Sequence, residues 1–590
     1  MRTILALTLA MTLTAAAQPK TDIPEGYWPL AKSEEILKKT ETIRLAPDLS
    51  SLTADEKSAL KDLLEVGDIL QKLYEDQLHH QAAYGLDRLK VLDVQLGQPK
   101  ATQNLLDLYR LSKGPIASTL TNEREAFVPV DAQRPQRNMY PLDATREQIE
   151  TFLAANPQAR EEILGERTVV RRATPANVGK DLQILNVYAE LRALHPTELL
   201  KLRALRQRGG ESVFYAVPYS IAYADQLVPA FRLLNRAAEG LRAADPEFAR
   251  FLRNRARDLL SNDYESGDAS WVTGRFNKFN AQIGAYETYD DALYGVKAFH
   301  GVSLMIANPK ATDELRKALG GLQAIEDALP YANHKRVKED IPVGVYEVIA
   351  DFGQARGTNT ATILPNDALF SRRYGRTILL RENIMKNPEI FAADQRVWKA
   401  ATLDAHASDL ASEGNFQRTL WHEIGHYLGV DRDKQGRTLD VALEDYADSI
   451  EEMKSDLVSL FALHRMNHPS LRAIQASGIR RTLQNVKPRR DQPYQTMQLI
   501  QFNWFLEHGL IEADPKTARL TINYEKYPEA VTSLLAETLK LQHEGDKAAA
   551  AAFFDRWTKW TPEVHEKLAA RIRDAQGARW RIVRYAALGE

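Results

Sequence analysis

One short stretch constrains this chain more than any other: Trp421-His422-Glu423-Ile424-Gly425-His426-Tyr427. It contains the pattern HExxH. On a helix, residues four apart share a face, so the imidazoles of His422 and His426 reach one metal ion together. Glu423 adjoins the first of them, where its carboxylate serves as a base toward metal-activated water. A catalytic zinc takes three protein ligands and keeps one position open. HExxH supplies two, and two nearby segments compete for the third. In the first, Gly429 stands where the longer pattern HExxHxxGxxH has its glycine, but Arg432 replaces the final histidine, with Asp431 and Asp433 on either side. In the second, Ile450-Glu451-Glu452-Met453-Lys454-Ser455-Asp456-Leu457 reads as a helix whose buried side carries Ile450, Met453, Leu457, Leu460 and Phe461. Glu452 and Asp456 share its other face. Glu452 as third ligand, with Asp456 accepting a hydrogen bond from the far nitrogen of His426, accounts for two carboxylates on an otherwise core-packed helix. A core helix with two satisfied histidines would leave that pair unexplained. A purely structural zinc is normally built from Cys and His, and the chain has no Cys.

The rest of the chain limits the setting. Residues 1–19 (MRTILALTLAMTLTAAAQP) carry Arg2, an apolar run and Ala15-Ala16-Ala17, the pattern of a cleaved secretory signal. Export to the periplasm or the exterior is expected, with no membrane attachment after cleavage. A formal net charge of -2, from 77 basic and 79 acidic residues, gives no footprint for nucleic acid. The length beyond the signal exceeds one hydrophobic core and predicts two lobes. The fold class expected is α+β and predominantly helical. A mixed lobe spans 20–307, with 340–392 and a strand near 580–586 returning to it. A helical lobe spans 308–339 and 393–575.

Helical spacing follows Thr53, whose Glu56 completes a capping box. His79 and His80 end that helix and are weaker ligand candidates, since neighbours on a helix point apart. Residues 20–50 are expected to run over a surface. Asn156-Pro157 is expected to break a helix and start another, and Glu211–Ser220 to be strand or loop. Alternation in Tyr286-Glu287-Thr288-Tyr289-Asp290-Asp291 places Glu287 and Tyr289 on one side of a strand. Residues 353–362, rich in Gly, Thr and Asn, either expose backbone to an extended ligand or simply connect. The loop from Asp431 begins like a calcium loop but has Ala442 where the bidentate Glu belongs.

Taken together, His422-Glu423-Ile424-Gly425-His426, Glu451-Glu452-Met453-Lys454-Ser455-Asp456 and Gly284-Ala285-Tyr286-Glu287-Thr288-Tyr289-Asp290, with Pro365-Asn366-Asp367, resemble the dipeptidyl peptidase III family of zinc metallopeptidases. The likeness is to its divergent bacterial members, which carry the pentapeptide instead of HExxxH. The resemblance implies one zinc per chain on His422, His426 and Glu452, with Glu423 as base. Glu451 and Asp456 would support the ligands from behind. Tyr289 would steady the tetrahedral intermediate, and Glu287 and Asn366 would hold the free amino terminus of a short peptide substrate. It also implies two lobes about a wide cleft, one of them partly β-barrel. Two positions depart from the family. Ile363 stands where an Asn is expected, and Thr496-Met497-Gln498 replaces His-Met-Gln. Besides release of dipeptides, an endopeptidase, another amide hydrolase, or a peptide-binding protein without catalysis would fit the same residues.

Overall fold

A computed structural model describes residues 23–337, 342–355, 360–364, 373–375, 377–489 and 492–590. The expected signal segment and Asn366 lie outside these. Helix α1 (Leu30–Leu37) leads into strand β1 (Thr40–Leu45). The expected surface run is thus partly ordered core, because Ile43 and Leu45 are buried. The partner of β1 is the closing strand of the chain. Thr40 to Leu45 pair in parallel with Trp580 to Tyr585.

The long helix α2 (Ala54–Leu78) starts at the capping box predicted for it. Glu56 N donates to Thr53 Oγ1 at 3.3 Å, and Thr53 N donates to Glu56 Oε2 at 2.8 Å. A small hairpin, β2 (Ile116–Ser118) and β3 (Arg124–Ala126), comes later, and β4 (Thr168–Arg172) pairs with β5 (Phe214–Pro218). β5 shows no alternation in sequence because Phe214, Tyr215, Ala216 and Val217 are all buried. After Asn156 the chain makes a tight turn at Pro157–Ala159 and a single helical turn at Arg160–Ile163. The Asn156 side chain donates back to Phe152 O at 2.9 Å instead of capping that second helical piece.

The largest sheet contains β6 (Phe279–Glu287), β7 (Phe299–Ala307), β8 (Val343–Gly353), β9 (Ala361–Leu364) and β10 (Thr377–Arg381). Their order is β6-β7-β8-β10-β9, mostly antiparallel, with β8 and β10 parallel. The partly barrelled element expected from sequence takes the form, among the described residues, of this open sheet with edges at β6 and β9. Helix α2 crosses β7 and β8 at close range: a side chain at Gly67 would meet the Phe352 ring at 2.3 Å. Period-two alternation makes β8 and β10 a partition between two hydrophobic cores. Leu379 packs into the core built around α2, β6 and β7, while Ile378 and Leu380 face a second core.

That second core is formed by helices α3 (Ser412–Gly425), α4 (Ala447–Arg465), α5 (Leu471–Thr482), α6 (Pro493–Glu507) and α7 (Tyr527–Glu544). Among the described residues, no helix is long and apolar enough to cross a membrane.

Candidate metal centre

Helix α3 ends at Gly425, yet His426 keeps right-handed helical angles (φ -65°, ψ -19°), so the four-residue relation to His422 survives the helix end. The two imidazole centroids are 5.0 Å apart. Helix α4 lies against α3 with almost no clearance: a side chain at Gly425 would meet Ser455 O at 2.8 Å and its Cα at 2.9 Å. This close approach carries Glu452 to the two rings. Ligand atoms of His422, His426 and Glu452 all lie within 4.8 Å of one another, the one such group among the described residues. Neither Asp431 nor Asp433 competes. Asp431 pairs with Lys335, and Asp433 closes its own loop on Gln435 N, Arg437 N and the Arg437 side chain. His79 and His80 are also spoken for, His79 Nε2 by Asp131 O at 3.0 Å and His80 Nε2 by Asp131 Oδ2 at 3.3 Å.

The carboxylates behind the imidazoles are not arranged as the sequence suggested. Asp456 Oδ1 lies 2.7 Å from His422 Nδ1, not on His426. His426 Nδ1 is instead 2.9 Å from both Glu451 Oε1 and Ser455 Oγ. Spacing along α4 could not decide this, since the match depends on how α3 and α4 cross. With each Nδ1 held by a carboxylate, both Nε2 atoms face Glu452, 3.1 Å and 3.9 Å from its oxygens. Glu452 Oε2 is buried, and among the described residues its one polar neighbour is the facing His422 Nε2. Two oriented imidazoles and a buried carboxylate oxygen form a donor set that suits zinc.

Charge around the group is tightly arranged. Burial disfavours a charged His422, but Asp456 and Glu452 outweigh it and lift the imidazole to about 9. Burial acts against ionised Asp456 too, yet Arg481, His422 and Arg418 hold its carboxyl well below the usual range. Arg481 Nε donates to Asp456 Oδ2 at 2.8 Å, and Arg418 Nη1 to Oδ1 at 3.2 Å. Glu451 is opposed by burial but drawn down to about 2 by Lys454 and His426. Lys454 also closes the end of α3, donating to Gly425 O and Leu428 O at 2.8 Å each.

An open pocket of about 560 Å³ adjoins the group, with His422, Glu423, Arg481 and Tyr494 in its wall. Glu423 makes no hydrogen bond or ion pair among the described residues, so its carboxylate is available to whatever enters. Tyr494, which sequence reading passed over, donates its hydroxyl to Glu452 Oε1 at 3.1 Å. Its only signal in the sequence is its position two residues before Thr496. Thr496, standing where the family's histidine is expected, is buried and donates to Arg489 O at 3.0 Å. Glu287 and Tyr289 are not in the wall of this pocket. β6 ends at Glu287, so the alternation invoked for the pair stops there and Tyr289 sits in the following turn, 65% exposed. Burial raises the Glu287 carboxyl above its ordinary value.

No protein-family model matches the chain. In sequence it is similar to a protein named Nudix hydrolase 3 from Arabidopsis thaliana, 23% identical over 563 residues, covering 88% of this chain and 70% of that one. In structure it is similar to dipeptidyl peptidase III from Caldithrix abyssi, with a TM-score of 0.76 and 23% identity over 93% of this chain and 98% of that one. Dipeptidyl peptidase III from Corallococcus sp. strain EGB gives a TM-score of 0.68 at 23% identity, covering 95% and 98%. The architecture is thus a predominantly helical α+β one. More narrowly, it is the dipeptidyl peptidase III fold, as the three sequence blocks implied.

Proposed function

We propose that the protein is a zinc-dependent peptidase that releases dipeptides from the free amino terminus of short peptides. The observation that carries the reading is the convergence of His422, His426 and Glu452, with Glu423 open beside them. The two solved dipeptidyl peptidases III of the same fold support it.

His422, His426 and Glu452 would hold the metal. When bound, zinc supplies a Lewis acid that polarises a carbonyl and makes water acidic enough to lose a proton near neutral pH. Glu423 accepts the proton of the attacking water and passes it to the leaving amine. Asp456 and Glu451 fix the tautomers and orientations of the two imidazoles. Tyr494 restrains Glu452. Glu287 and Asn366 pair with the substrate ammonium and set the distance from the chain end to the cleaved bond, while the Tyr289 hydroxyl donates to the oxyanion. Export, with residues 1–19 removed, belongs to the same proposal; the mass of the mature protein from a periplasmic fraction tests it.

The deciding experiment is mass spectrometry of products from peptides of three to ten residues, each with a free and an acetylated amino terminus, with and without a zinc chelator. Chelator-sensitive release of dipeptides from the free forms alone is expected. Internal cleavage of both forms would make the protein an endopeptidase. No cleavage by zinc-loaded protein would point to another amide substrate or to peptide binding without catalysis.

A further inference from the structure

A second cavity, of about 280 Å³, shares no wall residue with the pocket at the metal group. It lies between the end of α2, the β2–β3 hairpin, the turn after β6 and the start of the closing strand. Its polar wall carries Arg124, Arg137, Gln133, Ser112 and Ser118. Among the described residues, the side chains of Arg124, Gln133, Ser112 and Ser118 have no hydrogen bond or ion pair. The Arg137 side chain donates from Nε to Asp290 O at 3.1 Å, and among the described residues its two terminal nitrogens make no hydrogen bond. The one wall carboxylate, Asp290, accepts from Tyr74 Oη at 3.0 Å and Gln354 Nε2 at 2.8 Å. With Asp291 it offsets part of the Arg137 charge. His79, also in the wall, has both ring nitrogens engaged, by Asp131 O and Gln81 N. Leu111 and Trp580 supply apolar surface.

Two guanidinium groups, an amide and two hydroxyls, with their donors unspent around one cavity, are more than a fold needs. Arg124 is exposed and Arg137, Gln133, Ser112 and Ser118 are half-buried, so in the free protein water satisfies these donors and a ligand can replace it, while the two like charges near one another favour an anion. Arg137 further holds a left-handed backbone (φ 51°), a conformation that side-chain-bearing residues keep only where the surroundings impose it. We propose that the cavity binds a small oxyanion, a carboxylate or phosphate group bridged by Arg124 and Arg137. Planar guanidinium forks fit such oxygens pairwise. Gln133, Ser112 and Ser118 complete the donor set, and Trp580 and Leu111 take the body of the molecule that bears the anion. Because Arg137 also holds Asp290 O, the bound anion fixes the backbone of the turn that carries Tyr289.

The test is calorimetric titration of the full chain with inorganic phosphate and, separately, acetate, at constant ionic strength in chloride. Peptide hydrolysis is not the readout, so failure here and failure of the peptidase reading are separable. Binding of at least one anion is expected, and the tighter of the two identifies the group recognised. Arg124→Gln with Arg137→Gln should weaken it by about tenfold or more. Arg124→Gln alone, which breaks no side-chain hydrogen bond or ion pair among the described residues, should weaken it severalfold. Absence of binding by both anions at tens of millimolar would overturn the proposal. So would affinity unchanged in the two variants, which would place the anion elsewhere.

Discussion

Asp456 Oδ1 lies 2.7 Å from Nδ1 of His422, and the same carboxylate receives Arg418 and Arg481. One buried side chain thus orients a metal-facing imidazole and accepts from two guanidinium groups. Asp456→Asn keeps the shape and an acceptor for His422 but removes the charge. Zinc affinity should fall by about 10–100-fold, read by chelator competition. Thermal stability should fall as well, since the buried Arg418 and the half-buried Arg481 lose their shared anion, a loss of about 3–5 kcal/mol where a buried pair is broken outright.

The Glu423 carboxylate lines the pocket and makes no hydrogen bond or ion pair among the described residues, so replacing it breaks none of these. Glu423→Gln should retain zinc at one per chain by metal analysis while kcat falls by about 10²–10⁴-fold. Loss of zinc together with activity would contradict the role of base.

Tyr494 and Thr496 separate what is at the site from what is merely near it in sequence. Tyr494→Phe removes the hydroxyl from Glu452 and should lower zinc affinity by about tenfold, with a drop in kcat. Thr496→Ala, which among the described residues loses one side-chain hydrogen bond, to Arg489 O, should leave both close to the parent values. Parallel zinc titrations of the two variants check the contrast.

Gly425 permits the contact between the two ligand-bearing helices. Gly425→Ala forces Ser455 away and should cost about 1–3 kcal/mol, by analogy with overpacked cores. The shift also draws Glu452 from the histidines, so denaturant unfolding and zinc titration should both respond. A variant that loses stability but binds zinc as before would show that the spacing of α3 and α4 is not what sets the ligand group.

Asp76 offers a pH-dependent check away from the metal. Burial raises its carboxyl to about 6, although Asn138 donates to it at 3.2 Å. The unfolded value is about 3.9, so the folded chain holds the proton more tightly between the two values. Its contribution is therefore fully present below about pH 4 and lost as pH rises through about 6. Asp76→Asn, which keeps an acceptor for Asn138, should raise the melting temperature at pH 7 and leave it nearly unchanged at pH 4.

The parts of the fold and site that could be read from sequence were those set by local spacing. HExxH, the Glu452–Asp456 pair, the Thr53 capping box and the closing strand each depend on neighbours within a turn or a strand. What escaped depends on how separate elements meet. Asp456 serves His422 and Glu451 serves His426 because of the crossing of two helices, which no count along either one reveals. Arg481 and Tyr494 reach the site from α5 and α6, remote from the motif in sequence. Glu287 and Tyr289 were paired by alternation, but the strand ends at the first of them. β1 was read as surface because its partner is a distant segment, invisible to local pattern.

That last pairing has a consequence for synthesis. Among the described residues, β1 finds its ladder with Trp580 to Tyr585, more than five hundred residues later. As the chain leaves the ribosome, β1 must stay unpaired until nearly everything else has emerged, and an exposed strand edge in that interval invites association with other chains. A chain interrupted before residue 580 would retain the complete metal group and still present a permanently open edge near its start. For this protein, aggregation of truncated products is the expected mark of incomplete translation, more than loss of the zinc site.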